Sequence, residues 1–170
     1  EGCFQIDENT SILVPVNASK NDMYLARFLV NELVDKYGVA LSVEKVSKLS
    51  GDKNVILIGS IQNPLVREYC IKRNIDISPE NPGKEGYVLR VDKDMILVAG
   101  CDERGAFYGL QSLRQLFKED DKGGLLVRCV SVRDWPNLPF RGIRLYIPGR
   151  QNIPFFKRFL RDFMALYKYN

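Results

Sequence analysis

The sequence predicts an α/β (α+β) fold: a mixed, partly antiparallel sheet with helices packed on it. Three observations carry that prediction. Segments with helical apolar spacing alternate with short β-type runs along the chain. One run, "NVILIGS" (Asn54 to Ser60), is continuously apolar, as expected of a strand covered on both faces. "DKD" (Asp92 to Asp94) separates two strand-like runs as a tight turn, which puts an antiparallel pair into the sheet.

The elements follow in order. "SILVPV" (Ser11 to Val16) reads as a short strand. In the next segment Leu25, Phe28, Leu29, Leu33 and Tyr37 recur at spacings of three and four, and Gly38 is placed to stop that helix. Val39 to Ser47 alternates as a half-buried strand, and Asn54 to Ser60 follows. Asn63 is placed as N-cap and Pro64 as first residue of a second helix, before a Pro-, Asn- and Gly-rich loop at Ser78 to Gly83. Gly86 to Val91 and Met95 to Ala99 form the hairpin. Asp102 caps a third helix whose apolar face is Ala106, Phe107, Leu110, Leu113, Leu116 and Phe117. Gly123 to Pro136 reads as one more strand, ending in a Pro-rich linker. An apolar strand from Arg141 and a helix from about Pro154 to Tyr169 close the sequence.

Composition limits the chemistry. The 170 residues are 45% hydrophobic and 27% charged, enough for one ordinary domain or a domain plus part of another. The formal charge of +4 is spread among interleaved acidic residues, so no basic stripe marks a nucleic-acid partner. No apolar run approaches the roughly 18 residues of a membrane span, and the start shows no signal-peptide pattern. The chain has no histidine, which removes Ser-His-Asp and Cys-His nucleophile systems and H-E-x-x-H metal sites. Cys3, Cys70, Cys101 and Cys129 form no C-x-x-C pair; their spacing argues against zinc and leaves disulfides open. Cys70 and Cys129, among apolar neighbours, read as small buried hydrophobes. No cofactor is indicated.

Several motifs have duller readings. "LIGS" before a helix offers backbone N–H groups to a phosphate, but without a G-x-G-x-x-G or a P-loop lysine it reads as a turn with helix capping. Asp92 with Asp94, and Glu119 with Asp120 and Asp121, fall in a predicted turn and at a helix end, where solvated surface is expected. Asn9-Thr10-Ser11 and Asn17-Ala18-Ser19 match the glycosylation acceptor pattern, which matters only in a eukaryotic secretory route.

The segments "EGYVLRV", "MILVAGCDERGAFYGLQSLRQLF", "VSVRDWPNLPFRGIRLYI" and "FLRDFMALYKYN" together resemble the family 20 glycoside hydrolases, the β-N-acetylhexosaminidases. The resemblance is best from about Glu85 to Asn170; residues 1–84 agree mainly in element order. It implies an N-terminal α/β domain over 1–134. Residues 135–170 are then the linker and the first strand-helix of a (β/α)8 catalytic barrel, incomplete because closure needs eight such units. The expected parent removes terminal β-linked N-acetylhexosamine by a retaining mechanism in which the substrate's 2-acetamido group is the nucleophile. The family's catalytic Asp-Glu pair matches no position here, so the chain by itself is expected to be inactive. By the same resemblance the parent is secreted, periplasmic or at the cell surface, and the glycan is reached through the missing barrel.

One substrate contact carries over. Arg141 occupies the place of the family's arginine that hydrogen-bonds hydroxyls of the terminal sugar, a role suited to a permanently charged fork of donors. The alternative is a linker arginine paired with Asp134 or another carboxylate. The family's usual strand runs into an Asp and a Ser-Arg-His type segment, whereas this chain has Arg144, Tyr146, Pro148, Gly149 and Arg150. Tyr146 in place of the Asp opens the choice of sugar; Arg144 and Arg150 suit an acidic sugar or plain exposed surface. A second function class stays open: an α/β module that itself binds glycan or protein, for which clustered exposed aromatics are the signature and Trp135 the one stacking candidate. Phe155, Phe156, Phe159, Leu160, Phe163, Met164 and Tyr167 give the last helix more apolar surface than a free helix carries. It is expected to pack on the preceding domain, self-associate, or be poorly ordered.

Overall fold

The computed structural model describes residues 2–51, 53–121 and 123–170. Its elements are β1 (Cys3–Ile6), β2 (Ser11–Pro15), α1 (Lys20–Tyr37), β3 (Ser42–Val46), β4 (Val55–Ser60), α2 (Pro64–Lys72), β5 (Tyr87–Val91), β6 (Met95–Gly100), α3 (Glu103–Arg114), β7 (Phe117–Glu119), β8 (Leu125–Arg128), β9 (Val130–Asp134) and α4 (Ile153–Phe159). A six-stranded sheet runs β3-β2-β4-β6-β5-β9, and a three-stranded sheet runs β1-β8-β7. In the large sheet β3, β2, β4 and β6 are parallel, while β5 is antiparallel to both β6 and β9. The small sheet is antiparallel throughout. Among the described residues the fold is therefore α/β with a mixed sheet, a second small sheet and four helices.

Side-chain alternation along the strands divides the core in two. Ile12, Val14, Ile56, Ile58, Ile96 and Val98 face α1 and α3, together with Phe4, Phe117 and Val127 of the small sheet. Leu13, Leu57, Leu97 and Ala99 point the other way, onto Leu65, Val66 and Tyr69 of α2. This double coverage explains why β4 reads as one apolar run.

Local chemistry fixes the helix ends. Ser19 and Asp22 form a reciprocal capping box at the start of α1, and Gly38 ends that helix at φ 67°, where a side chain would be strained. The Asn63 carboxamide oxygen accepts from the Leu65 and Val66 N–H groups, and its NH2 donates to Asp22 Oδ1 at 2.9 Å. The "LIGS" turn is thus occupied by capping. Asp102 caps α3 through the Gly105 N–H at 2.7 Å.

Five expectations are corrected. The third helix stops at Arg114, and Phe117 begins β7 instead of completing the apolar face of the helix. Pairing with β8 overrides the local helical spacing there. Glu119 therefore ends a strand, and Asp120 accepts from the Gly124 N–H in the β7–β8 turn. The run expected as one strand over 123–136 is two: β8 belongs to the small sheet and β9 to the large one. Cys129, at that crossover, is exposed, whereas Cys70 is buried as expected and burial pushes its thiol up to about 11. Residues 141–147, expected as a strand, form none, and Tyr146 and Ile147 are exposed. A parallel strand is stable only with a neighbour to satisfy its ladder of N–H and C=O groups, and no described strand lies beside this one.

The last helical segment is α4 followed by a π-helical stretch, Leu160–Ala165. None of its residues is buried. Phe159 instead stacks on Phe163, and Tyr167 tilts against Phe163, each pair with ring centroids 5.1 Å apart. It touches the α/β domain by polar contacts: the Arg114 guanidinium reaches the Arg161 carbonyl at 3.3 Å and Asp162 at 3.5 Å.

Candidate functional site

Arg141 lies where residues 135–170 meet the α/β domain, around a cavity of about 160 Å³. Five residues frame it. Glu85 precedes β5, Tyr87 opens β5, Tyr108 lies in α3 and Asp134 ends β9. Lys168 returns from the far end of the chain.

Glu85 is the buried anchor, with a side chain only 4% exposed. It adopts φ 61°, and its N–H donates to Asp102 Oδ2 at 2.9 Å. That bond ties the loop to the cap of α3. Arg141 Nη2 donates to Glu85 Oε2 at 2.7 Å, and the more exposed Arg104 Nη1 donates to Oε1 at 3.0 Å. The rest of the Arg141 fork is also held: Nε donates to the Lys168 carbonyl at 2.8 Å and Nη1 to the Leu138 carbonyl at 2.9 Å. Its plane lies over Tyr108, 5.3 Å from the ring centroid, as a cation–π contact. The alternative of a linker arginine paired with a carboxylate is thus met by Glu85 and not by Asp134, which is engaged by Lys168.

Asp134 belongs to a second cluster. Lys168 Nζ donates to Asp134 Oδ2 and to the Tyr87 hydroxyl, each at 2.7 Å. Tyr87 in turn donates to Asp134 at 2.9 Å and shares a 2.6 Å hydrogen bond with Ser112. Trp135 stands half out of the cavity wall beside these groups.

The electrostatics hold both carboxylates ionised. Burial works to raise Glu85, but the hydrogen bonds and charges of Arg141 and Arg104 outweigh it and hold the carboxyl below its usual range. Asp134 is likewise lowered: burial opposes, while Lys168 and Tyr87 prevail. Burial alone would lower Lys168, but Asp134 and Tyr87 raise it. Neither carboxyl has the raised pKa of a general acid at neutral pH. Among the described residues no group of three or more His, Cys, Asp or Glu side chains could hold a metal, and no helix is long and apolar enough to cross a membrane.

The pH dependence has a definite sign. A carboxyl lowered by folding contributes stability that is complete above its unfolded value and is lost as pH falls through its folded value. The junction should therefore loosen below about pH 4, ahead of the apolar core. Trp135, the single tryptophan, reports on it. Its emission is expected to shift in acid before far-UV ellipticity is lost; coincident transitions would show that these pairs do not hold the junction.

The architecture has counterparts among known proteins. The family model described as glycosyl hydrolase family 20, domain 2, matches residues 1–135. The chain belongs to glycoside hydrolase family 20. The family 20 chain is 28% identical over 174 residues to a β-hexosaminidase of Porphyromonas gingivalis, covering 98% of this chain and 20% of that protein. It is 37% identical over 101 residues to a β-hexosaminidase of Vibrio vulnificus, covering 57% and 11%. The chain thus spans a fifth or less of these relatives. In fold it is similar to the family 20 β-N-acetylhexosaminidase of Streptomyces coelicolor A3(2), with a TM-score of 0.70, 24% identity and coverage of 99% and 31%. The family 20 exo β-N-acetylglucosaminidase of Vibrio harveyi matches with a TM-score of 0.66, 21% identity and coverage of 100% and 22%.

Glu85 and Lys168 lie inside two of the segments that carry the resemblance, "EGYVLRV" and "FLRDFMALYKYN", but nothing local in either pairs it with Arg141 or Asp134. Arg114 and Glu32 did leave a local signal. Gln111 and Arg114 interrupt the leucine stripe of α3 at helical spacing, and a polar pair on a buried stripe signals a partner on a facing element. That partner is Glu32 of α1, 2.8 Å from Arg114 Nη2.

Proposed function

We propose that residues 1–134 are the non-catalytic scaffold of a longer glycosidase, and that they buttress residues 135–170 as the first strand-helix unit of its catalytic barrel. The parent hydrolyses terminal β-linked N-acetylhexosamine, or a related sugar, from glycans. Its chemistry is retaining and substrate-assisted, with the catalytic carboxylate pair supplied by chain beyond this segment. Arg141 contributes sugar hydroxyl contacts once the barrel is complete.

The observation that supports this reading best is the fastening of residues 135–170 onto the α/β domain at both ends, through Arg141 on Glu85 and Lys168 on Asp134. A domain that grips the start of its neighbour is suited to setting where that neighbour begins. The second reading, a glycan-binding module, draws on the rings of Tyr24, Phe28 and Phe107, which cluster within 6.5 Å of one another with Tyr24 half-exposed.

The experiment sets the complete protein that contains this chain beside the chain alone, with p-nitrophenyl N-acetyl-β-glucosaminide as substrate and chitobiose as ligand. The scaffold reading expects turnover by the complete protein only, and no saturable chitobiose binding by the chain. Saturable binding at Tyr24 or Trp135 would favour the module.

A further inference from the structure

We propose that Glu85 is the positioning residue for Arg141, so that the α/β domain contributes a side chain to the organisation of the sugar site and is more than its support. This rests on the reading that Arg141 contacts the sugar. A free arginine side chain samples many rotamers, and a donor fork is useful to a ligand only when that freedom has been removed beforehand.

A strand ladder orders backbone only, so the Arg141 side chain needs partners of its own. Glu85 is built to be one. Its backbone is held in the left-handed region by the bond from its N–H to the Asp102 cap. The side chain is 4% exposed, and each of its oxygens receives one arginine. Arg141 is then fixed on three nitrogens, by Glu85, Leu138 and Lys168, and on one face by Tyr108.

Donor arithmetic supports the same role. Nη1 and Nη2 of Arg141 each carry two N–H groups and spend one, on the Leu138 carbonyl and on Glu85. The fork is therefore oriented with donors left over for sugar hydroxyls.

The test is a double-variant cycle in the complete protein with p-nitrophenyl N-acetyl-β-glucosaminide. Glu85→Gln and Arg141→Lys are each expected to raise KM about tenfold, and the double variant to be no worse than Arg141→Lys, because Glu85 acts through that arginine. A purely structural Glu85 would multiply the two effects. If Arg141→Lys leaves KM unchanged, or the wild-type protein does not hydrolyse the substrate, the sugar-contact reading falls and this inference with it. If Arg141→Lys is impaired but Glu85→Gln has wild-type KM, or the effects multiply in full, the positioning role alone is overturned. Should Glu85→Gln fail to fold, NMR of the wild-type chain decides. The Arg141 Nη2–H that donates to Glu85 is expected to exchange slowly at neutral pH and to lose that protection as Glu85 is protonated. Fast exchange at neutral pH overturns the proposal.

Discussion

Replacing Glu32 with alanine is expected to destabilise the chain by about 3–5 kcal/mol, the range for removing one partner of a buried ion pair. Arg114 is fully buried, with a side-chain exposure of 0%, and Glu32 is 4% exposed. The Arg114 guanidinium also donates to Gln111 Oε1 at 2.6 Å and lies 5.2 Å from the Phe28 ring centroid, but neither supplies a full negative charge. Its Nε already lacks a partner, as does Gln111 Nε2. Loss of Glu32 therefore leaves a buried cation facing only a longer contact to a partly exposed carboxylate, Asp162. Asp162 lies 3.5 Å away and its side chain is 39% exposed, so Asp162→Ala should cost under about 1 kcal/mol. Urea unfolding of the two variants measures the contrast. A Glu32→Ala loss as small as that of Asp162→Ala would mean that the helix pair α1–α3 does not depend on this bridge.

Gly105→Ala should destabilise by about 3 kcal/mol or more, at the upper end of what overpacking costs. In an unconstrained helix the same change would stabilise by about 0.5–1 kcal/mol, so the sign is diagnostic. A Cβ on Gly105 would stand 2.1 Å from the Gly86 carbonyl oxygen, a backbone atom. That carbonyl already accepts from the Cys101 N–H at 2.9 Å. Relief would have to move α3 away from the loop that carries Glu85. Gly100 is under the same constraint, with its Cβ position 2.0 Å from the Ala106 nitrogen. Thermal unfolding of Gly105→Ala checks the prediction; an unchanged or raised Tm would contradict the close packing of α3 on this loop.

The three helices of the domain were legible because each is written locally. Gly38, Asn63 with Pro64, and Asp102 mark their ends, and apolar spacing marks their buried faces. Strands β1 and β7 have four and three residues, too few for any period, and exist only through pairing with β8. The division between β8 and β9 falls inside a continuous β-type run, where nothing local marks the change of sheet. At the site, resemblance pointed to Arg141. Its carboxylate partner lies 56 residues upstream, and Lys168 lies 81 residues from Tyr87. Such pairings depend on how the elements come together in space, and one sequence carries no record of it.

The scaffold account is tested most directly by following, with proton NMR, the anomer first released when the complete protein hydrolyses p-nitrophenyl N-acetyl-β-glucosaminide. The account predicts that β-N-acetylglucosamine appears first, with the isolated chain inert under the same conditions. Initial release of the α anomer, turnover by the isolated chain, or no turnover by the complete protein would contradict it.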